Sequence, residues 1–537
     1  MKRLLIVFCL VAIVALPFVL RPKQRVAAEA QDVVVIVTPH NEAIRHEFAL
    51  GFQEWYRAQT GRTVTIDWRV LGGTSEIARY LEGEYVAAFR NYWVNRLGRP
   101  WSTDVQAGFQ SPHLPPAAPA AAREARAEFL HSGVSCGIDL FFGGGSYDFD
   151  QQADAGRFWA SGTPQRHPDW FTDATIPQDY AGEEFREPHG LWLGAVISAY
   201  GIIYNRDALA RLGIGAPPAQ WDDLADPRYF GEVALCDPTK SGSIAMAFEN
   251  LIQQKMQQRL QALGATPALS VAAREAEAVA QGWAAGLQLI QRIGANARYF
   301  TDTSQKPPID VADGNCAAGM CIDFYGTQQA EAVVRRGDSH RLGFASPAGG
   351  TAYSVDPIGL LRGAPHRPVA EAFIDYVLSL AGQKLWDFKP GVPGGPKDFA
   401  LRRLPVRRDF YSHSEWNELR SDPELNPYGS GPRLVYRSDW TGSRFRQMAF
   451  IIRVMCQDTH SELVQAWAAI LRAPPANRPR ALALLQDVSF VSYARAGREI
   501  KQALNSRDKV NEIRLARELA DRFRVQYRLA QEAAEGK

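Results

Sequence analysis

Short apolar runs alternate with amphipathic stretches of helix length through most of the chain. Residues 33–37 and 138–142 are continuous apolar runs, which are typical of strands buried on both faces. Residues 64–70 alternate between apolar and polar positions, as a half-buried strand does. Two helices are predicted between these runs, with inward faces formed by Ile44, Phe48, Phe52 and Trp55, and by Ile77, Tyr80, Leu81 and Tyr85. This order of elements predicts a doubly wound α/β unit.

The alternation continues in the second third of the chain. Strands are predicted at residues 196–205, 233–235, 318–322 and 354–361. Helices are predicted at residues 206–212, 282–292, 328–336 and 368–380, and a longer helix begins within residues 237–243 and ends near Leu260. An α/β class with more than one structural unit follows, because 537 residues are too many for a single core.

Two stretches break this pattern. Residues 90–135 are rich in alanine and proline, and they read as an insertion with one surface helix at residues 120–131. After Arg433 the chain becomes rich in arginine and glutamate, with helices predicted at residues 449–471, 480–485 and 510–534. We expect residues 434–537 to be a helical extension, either an appended unit or a wrap around the first lobe.

The chain start has the pattern of an export signal. A basic Met1-Lys2-Arg3 precedes an apolar run over residues 4–20, and Ala28-Glu29-Ala30 offers a cleavage site. Residues 1–30 are therefore predicted to be a signal peptide or an uncleaved N-terminal membrane anchor. Either way, the rest is expected in the periplasm, free or anchored to the inner membrane. The five cysteines after the apolar run have no metal-ligand spacing, so buried, inert thiols are expected.

The charge balance excludes one class of partner. The chain has 60 Lys and Arg residues against 58 Asp and Glu residues, a formal net charge of +2. This balance gives no reason to expect nucleic acid or another polyanion as a partner. The sequence also lacks GxGxxG and GxxxxGK[ST], so no nucleotide site is supported.

Polar and small residues follow several predicted strands. Residues 318–322 end in Asp323-Phe324-Tyr325, residues 138–142 end in three glycines and Ser146, and Ser241-Gly242-Ser243 precede a helix. Thr74 or Ser75 is the expected N-cap of the second helix. In open α/β sheets, ligands bind at the carboxyl ends of strands. The alternatives are that the aromatic residues cap a core and that Ser241–Ser243 merely cap a helix.

Four stretches of this sequence share an order and spacing with a known family. They are residues 35–43; residues 139–145; residues 200–205 with 221–224 and 231–242; and residues 363–366 with 372–379 and Gln383. Through them, residues 33–411 resemble the periplasmic solute-binding proteins of ABC importers, in the iron(III)-type group. The resemblance does not include the insertion at residues 90–135. It implies the two-lobed, type II periplasmic-binding-protein-like fold, which here carries a C-terminal helical extension.

The resemblance also implies how the lobes are built and used. Lobe 1 would comprise residues 33–193 and 356–433, and lobe 2 residues 194–355, with hinge crossings near Gly194 and Tyr353. Ligand would be held between the lobes, and the closed form would be recognised by the membrane permease of an ABC transporter. The implied function is capture of a solute and its delivery to that permease, with no cofactor.

The identity of the ligand is left open between two classes. The resemblance makes His40 and Tyr325 metal ligands if the solute is ferric ion, but Phe324 stands where the family has a further tyrosine. Asp148 is the carboxylate nearest the glycine-rich strand end. A small organic or phosphorylated anion would instead use N–H and hydroxyl donors at helix starts. The candidate ligand-binding residues are His40, Thr74, Ser75, Gly144, Gly145, Ser146, Ser241, Ser243, Asp323 and Tyr325.

Two other functional classes compete with a transport component. His40, Asp148, Asp323 and Tyr325 could form an acid/base set of an enzyme, although no GxSxG, HExxH or SxxK with chemical context accompanies them. A membrane-anchored periplasmic sensor or adaptor of the same fold is the other alternative, because of the N-terminal segment and the helical extension. We expect a binding protein rather than an enzyme.

Overall fold

The computed structural model describes residues 30–264, 270–337, 340–429, 431, 434–506 and 508–537. In chain order, the strands are β1 (Asp32–Val37), β2 (Val64–Arg69), β3 (Leu140–Phe142), β4 (Phe158–Trp159), β5 (Asp179–Tyr180), β6 (Glu183–Glu184), β7 (Leu193–Ser198), β8 (Tyr200–Asn205), β9 (Val233–Cys236), β10 (Ala297–Thr301), β11 (Ala318–Ile322), β12 (Leu342–Ala345), β13 (Ser354–Leu361) and β14 (Leu404–Pro405).

The α-helices are α1 (Glu42–Thr60), α2 (Thr74–Asn91), α3 (Thr103–Gln110), α4 (Ala120–His131), α5 (Ser146–Asp154), α6 (Thr163–Arg166), α7 (Arg206–Arg211), α8 (Gly242–Leu263), α9 (Val271–Asn296), α10 (Lys306–Ala312), α11 (Asp323–Arg335), α12 (Arg367–Leu378), α13 (Leu380–Asp387), α14 (Ser438–Thr441), α15 (Phe445–Ile452), α16 (His460–Arg472), α17 (Arg478–Leu485), α18 (Tyr493–Arg495), α19 (Lys501–Leu504) and α20 (Lys509–Ala534). Segments of π-helix lie at Tyr92–Arg96, Arg453–Gln457 and Ala496–Ile500, and 3₁₀ turns at Pro168–Trp170, Trp221–Ala225, Pro227–Tyr229, Arg408–Ser412, Ser414–Trp416, Gly442–Arg444 and Ser489–Val491.

Two sheets organise the molecule into two lobes. The first sheet has the order β14-β7-β13-β3-β1-β2, with β4 paired to β13, and the second has the order β10-β9-β11-β8-β12. A small hairpin of β5 and β6 is separate from both. In the first sheet, β1 is parallel to β2 and β3, while β13 is antiparallel to β3 and β7. The predicted two-lobed α/β fold with a helical extension is therefore confirmed.

The chain changes sheets within a single residue. β7 pairs in the first sheet and β8 in the second, with only Ala199 between them. The prediction of one strand over residues 196–205 is wrong, because both halves are central buried strands and hydropathy shows no break between them. Gly194 lies inside β7, so this crossing is later than the predicted hinge position. The return crossing lies between β12 and β13, where Tyr353 is located.

The chain passes between the lobes a third time at residues 436–437, where the extension begins. We call this segment the third passage. The Tyr436 N–H donates to the Ala181 carbonyl of the first-lobe hairpin turn (2.8 Å). On the second-lobe side, the Gln253 side chain accepts from the Arg437 N–H (2.9 Å) and donates to the Arg437 carbonyl (3.0 Å). Residues 436–437 are thus held by both lobes at once.

The extension packs on the second lobe rather than around the first. The Trp283 indole N–H of α9 donates to the Val491 carbonyl (2.9 Å), and Gln291 donates to the Tyr527 hydroxyl (3.1 Å). The Trp467 indole N–H donates to Asn296 (2.9 Å). A ring contact reaches back to the first lobe, where Tyr147 of α5 lies 4.4 Å from Phe445. Of the two alternatives for the extension, an appended unit and a wrap around the first lobe, these contacts favour the appended unit.

Several local predictions differ from the structure. The helix after β11 begins at Asp323 rather than Gln328, because the strand-end residues themselves form its first turn. Gly73, not Thr74 or Ser75, is the N-cap of α2, and Tyr80 is exposed. The insertion holds α3 as well as the predicted α4, and Phe109 and Phe129 are buried between them. Strands β10 and β12 were not predicted, since each is only partly buried.

The N-terminal segment predicted to be a signal or anchor lies outside the described residues. Within the described part of the chain, none of the helices combines the length and apolar character needed to span a membrane. The five described cysteines are free, and all but Cys136 are buried, as expected of structural thiols. Burial raises the pKa of the Cys321 thiol, which keeps it protonated and unreactive.

Two buried carboxylates, those of Glu183 and Glu249, lie near residues 436–437, the segment that both lobes hold. The Tyr436 hydroxyl donates to Glu249 Oε1 of α8 (3.1 Å). Glu249 Oε2 and Glu183 Oε1 are buried without a hydrogen-bond partner among the described residues. Burial raises the pKa of Glu249 to about 7. Burial also raises the pKa of Glu183, and repulsion from Glu249 and Asp150 raises it further. Ionisation of Glu183 and Glu249 therefore destabilises the packing of the β5–β6 hairpin, α8 and the extension against one another.

We expect Glu249→Gln to remove part of the pH dependence of stability. Because burial raises the folded-state pKa of Glu249 from 4.5 to about 7, its stabilising contribution is complete below about pH 4.5 and is lost as the pH rises to about 7. The neutral glutamine should make the protein roughly 1–2 kcal/mol more stable than wild type at pH 8, with little difference at pH 4.5. Urea denaturation at both pH values measures this difference. Glu418→Gln, at an exposed carboxylate, is the matched control, and parallel pH profiles for Glu249→Gln and wild type would contradict the assignment.

Candidate functional site

A cavity of about 230 Å³ lies between the two lobes. Six of the predicted ligand-binding residues are in its wall: His40, Thr74, Gly144, Ser241, Ser243 and Tyr325. The other four, Ser75, Gly145, Ser146 and Asp323, are not part of the wall. Further wall residues are Pro39, Val70, Gly72, Gly73, Glu76, Lys240, Asp302, Thr303, Ser304, Gln305, Ile322, Phe324 and Asp356.

Three helices from both lobes begin at this wall. They are α2 of the first lobe and α8 and α11 of the second. The first turns of helices present backbone N–H groups without intrahelical partners, and the helix dipole adds positive potential there. The Ser241 hydroxyl caps α8 by accepting from the Ile244 N–H (3.3 Å). These three helix starts favour negative charge in the cavity.

The two lobes touch directly at the start of α2. A Cβ atom at Gly73 would lie 2.3 Å from the Lys240 carbonyl oxygen. A Cβ atom at Gly242 would lie 2.9 Å from the Asp148 carboxylate. Both positions therefore need glycine for the lobes to meet. The structure is a closed form, in which α2 and α5 of one lobe face the start of α8 of the other.

A two-glycine turn forms the floor of the cavity on the first-lobe side. Gly143 and Gly144 have φ values of +90° and +110°, a region that favours glycine. A Cβ atom at Gly143 would lie 2.3 Å from His40 Nε2, and one at Gly144 would lie 2.1 Å from Thr74 Oγ1. The turn thereby allows the His40 ring and the Thr74 hydroxyl to approach the backbone after β3.

His40 is part of a buried charged cluster that the sequence did not reveal. Arg403 is fully buried and donates to Asp356 Oδ2 (2.8 Å) and to the Ser198 hydroxyl (2.5 Å). His40 Nε2 lies 3.3 Å from Arg403 Nη1 and 3.5 Å from Asp356 Oδ2. Burial lowers the pKa of His40, an effect that Asp356 opposes and Arg403 reinforces. The imidazole is therefore held neutral between a cation and an anion.

The charges of Asp356 and Arg403 compensate each other. Burial alone would raise the pKa of Asp356, but the Arg403 charge and the hydrogen bond from His40 outweigh it and keep the pKa low. A signal for Asp356 was present in the sequence, since it is a carboxylate inside an otherwise apolar strand. Arg403 gave no such signal, because it is one of four arginines within residues 402–408, a composition typical of a surface.

Phe324 and Tyr325 form the second-lobe side of the cavity. The Arg403 guanidinium lies 4.2 Å from the Phe324 ring centre, a cation–π contact. The Phe324 and Tyr325 ring centres are 4.1 Å apart. Burial raises the pKa of Tyr325, so its hydroxyl is protonated at neutral pH. Phenylalanine at position 324 thus covers Arg403, and Tyr325 offers the cavity a neutral hydroxyl.

Asp323 and Asp148 have contacts outside the wall. Asp323 Oδ2 accepts from the Ala199 N–H (3.0 Å), and the Asp323 N–H donates to the Ala199 carbonyl (2.9 Å), so Asp323 fixes the sheet crossing. Burial raises its pKa to about 7. Asp148 accepts from the Ser75 hydroxyl (3.0 Å), and burial raises its pKa to about 6. The Asp148–Ser75 pair faces Gly242 of the opposite lobe.

Lys240 is a wall residue that was not predicted from the sequence. Its positive charge has a large effect on the electrostatic potential of the cavity. Lys240 immediately precedes Ser241 at the start of α8, and it forms no ion pair with any residue that the structure describes. Of the three acidic wall residues, Asp356 is neutralised by Arg403, and Glu76 accepts from the Gly73 N–H (3.1 Å). The third, Asp302, is exposed to solvent. An unpaired lysine beside three helix starts makes the wall suited to an anion.

Potential metal-ligating groups cluster elsewhere. In the described ranges, one set of three such side chains comes together, His46, Glu47 and Asp398, and it is not part of the cavity wall. Both carboxylate oxygens of Glu47 already accept hydrogen bonds, from the N–H groups of Lys397, Asp398 and Phe399 at 2.6–2.8 Å. The cavity itself does not assemble such a set among the described residues.

Part of the chain matches a known protein family. Residues 169–405 match the family described as "Bacterial extracellular solute-binding protein". This segment is less than half of the 537-residue chain. The matched segment spans all of the second lobe and the strands of the first lobe that return from it.

Relatives extend the match beyond that segment. An uncharacterized protein of Haemophilus influenzae is 26% identical over 251 residues, which are 46% of this chain and 60% of that protein. The phosphoglycerate transport regulatory protein PgtC of Salmonella typhimurium is 26% identical over 279 residues, 52% of this chain and 57% of PgtC. The alignments thus span less than two thirds of these relatives. The solved periplasmic binding protein AfuA of Actinobacillus pleuropneumoniae has 17% identity and a TM-score of 0.44, over 73% of this chain and 99% of AfuA.

Proposed function

We propose that this protein is the extracytoplasmic solute-binding component of an ABC importer, which captures a small anionic solute between its lobes and delivers it to a membrane permease. The observation that carries the proposal is the interlobe cavity, where three helices begin beside Lys240, which has no ion pair among the described residues. The match of residues 169–405 to a family of binding proteins supports binding over catalysis. Closure would take place about the crossing at Ala199 and the crossing before β13.

A phosphorylated or carboxylated solute is favoured over ferric ion. A ferric site needs several anionic oxygen ligands. His40 Nε2 instead lies 3.3 Å from a permanently charged guanidinium, which disfavours a metal cation there. Phe324 supplies no ligand atom, and the Tyr325 hydroxyl is protonated. The similarity to PgtC, whose name refers to phosphoglycerate, points to the same class of solute.

A regulatory role is the second candidate. PgtC is described as a transport regulatory protein, and the present chain carries a helical extension packed on the second lobe. A sensor or adaptor would bind the same solute and present its closed form to a membrane-bound partner. Deletion of the gene would then abolish induction of transport by the solute, and a constitutively expressed permease would still import it.

We expect Lys240→Gln to weaken binding of a phosphorylated solute about tenfold. The substitution removes one charge-assisted contact, worth about 1.4 kcal/mol, and leaves the helix starts in place. Isothermal titration of the full chain with phosphoglycerate measures the affinity. Lys255→Gln is the matched control, because Lys255 is paired with Asp222 outside the cavity wall (2.7 Å).

Native mass spectrometry with elemental analysis of the purified protein tests the ligand class directly. A bound metal-free anion of low mass is the expected result. Stoichiometric bound iron, retained by wild type and lost in Tyr325→Phe, would contradict the anion assignment. Release of a chemically altered product from added solute would contradict a pure binding role.

A further inference from the structure

A short segment of the first lobe runs along one face of helix α11 of the second lobe. The segment is residues 401–403, which immediately precede β14 of the first sheet. It contacts Phe324, Gln328 and Glu331 of α11. These three positions are spaced by four and three residues, so they lie on the same face of the helix. We call this set of contacts between the lobes the clasp.

The side chain of Gln328 is held by the first lobe at both its donor and its acceptor. Gln328 Nε2 donates to the Leu401 carbonyl (2.9 Å), and Gln328 Oε1 lies 3.5 Å from Asn41 Nδ2. Asn41 is itself fixed in place, because its Oδ1 caps α1 by accepting from the Ile44 N–H (3.0 Å). The carboxamide of Gln328 therefore fits one relative position of the two lobes.

Arg402 and Glu331 form the charged part of the clasp. Arg402 Nη1 lies 3.3 Å from Glu331 Oε2, and the two side chains are only 23% and 21% exposed, which limits screening by solvent. Arg402 Nε donates to Asp422 Oδ2 (3.1 Å), which anchors the guanidinium to the first lobe. The backbone of Arg402 has φ +51°, an unfavourable value for an arginine. Such a conformation persists where surrounding contacts maintain it, and Asp422 and Glu331 supply them here.

The polar contacts of the clasp lie outside the cavity and away from the sheet crossing. Phe324 is part of the cavity wall, whereas Gln328 and Glu331 are not. Along the axis of α11, Gln328 and Glu331 are about 7.5 and 12 Å from Asp323, the residue that binds the crossing at Ala199. Contacts at that distance from the crossing separate when the lobes rotate apart. Gln328 and Glu331 thus distinguish the closed form from an open form without touching the solute.

We propose that Gln328 and Glu331 are positioning residues for solute capture, which hold the first turn of α11, with Phe324 and Tyr325, against the bound solute. This inference rests on the proposed function, binding of a solute between the lobes. A contact made only in the closed form raises the ratio of closed to open molecules. Because the solute leaves through the open form, the clasp slows its dissociation and leaves its association nearly unchanged.

Stopped-flow fluorescence of the full chain with phosphoglycerate measures the two rates separately. We expect Gln328→Ala/Glu331→Gln to release phosphoglycerate about tenfold faster than wild type, which corresponds to the loss of two contacts of modest strength. The association rate should stay within about twofold of the wild-type rate. A merely structural role for these side chains would not separate the two rates in this way. Wild-type dissociation from the double variant would overturn the proposal.

A control variant on the same helix separates the clasp from a general disturbance of α11. Gln329→Ala/Arg335→Gln changes an amide and an ion pair within α11, because Arg335 is paired with Glu331 on the helix itself. The contacts of Gln328 and Glu331 with the first lobe remain in this variant. It should release phosphoglycerate at the wild-type rate, and an equal acceleration in both double variants would count against the clasp.

Small-angle scattering without solute separates the clasp from the choice of solute. If wild type does not bind phosphoglycerate, the proposed solute is wrong, and the solute-free proteins then decide the role of the clasp. Gln328→Ala/Glu331→Gln should have a larger radius of gyration than wild type and the control variant, because fewer of its molecules are closed. Equal radii for all three proteins would show in that case that the clasp does not hold the lobes together.

Discussion

Arg403→Met should destabilise the protein by about 3–5 kcal/mol, the largest effect expected of a single substitution here. Methionine fills much of the arginine volume but removes the charge that compensates Asp356. That carboxylate would stay buried against Ser198 and His40 without a cation. The contact with the Phe324 ring at 4.2 Å would also be lost. Urea denaturation of the full chain at pH 7 measures the loss.

A second substitution distinguishes lost charge compensation from lost packing. The double variant Arg403→Met/Asp356→Asn has no uncompensated charge, so it should recover most of the stability that Arg403→Met loses. Arg336→Met, at an exposed arginine, should change stability by less than about 0.5 kcal/mol. If Arg403→Met cost no more than this exposed substitution, Arg403 would not be the structural partner of Asp356.

Gly73→Ala should lower the affinity for phosphoglycerate about a hundredfold while leaving each lobe folded. The backbone at Gly73 has φ −74°, which alanine adopts without strain. The added Cβ would lie 2.3 Å from the Lys240 carbonyl of the opposite lobe, so the lobes could not close fully. A hundredfold loss corresponds to about 2.7 kcal/mol. Titration calorimetry measures the affinity, and small-angle scattering should show that added solute no longer compacts the variant.

Gly83→Ala is the matched control for that experiment. Gly83 lies on the same helix, and a Cβ atom there would have nothing within 4 Å. It should bind and close as wild type does, with the small gain in helix stability that alanine gives over glycine. Full compaction of Gly73→Ala with wild-type affinity would mean that the contact between Gly73 and Lys240 is not part of the ligand-bound form.

Elements bounded by clear polar residues were predictable, and long-range partners were not. The strands at Ala318–Ile322 and Ser354–Leu361 were predicted with their observed bounds, because each is an apolar run ending at turn or helix residues. The passage through Ala199 was missed, since an apolar run reads the same whether it pairs in one sheet or two. Hydropathy carries no information on which strands will be neighbours.

In the candidate site too, local features could be predicted from the sequence and long-range contacts could not. Six predicted residues line the cavity because strand ends and helix starts are local features that the sequence encodes. Arg403 was missed, since its burial depends on Asp356, Ser198 and Phe324, which are distant along the chain. The phenylalanine at position 324 could be noted from the sequence as a departure from the family. Only the structure gives it a partner, the Arg403 guanidinium.

The third passage sets a mechanical limit on the molecule. Tyr428 is fixed to the first lobe through its hydroxyl, which donates to the Val406 carbonyl (2.5 Å), and Arg437 is fixed to Gln253 of the second. The chain between them has nine peptide steps and spans at most about 32 Å when fully extended. However the two crossings bend, the lobes cannot swing apart beyond the reach of this tether. While these two anchoring hydrogen bonds hold, the length of this segment limits how far the lobes can separate.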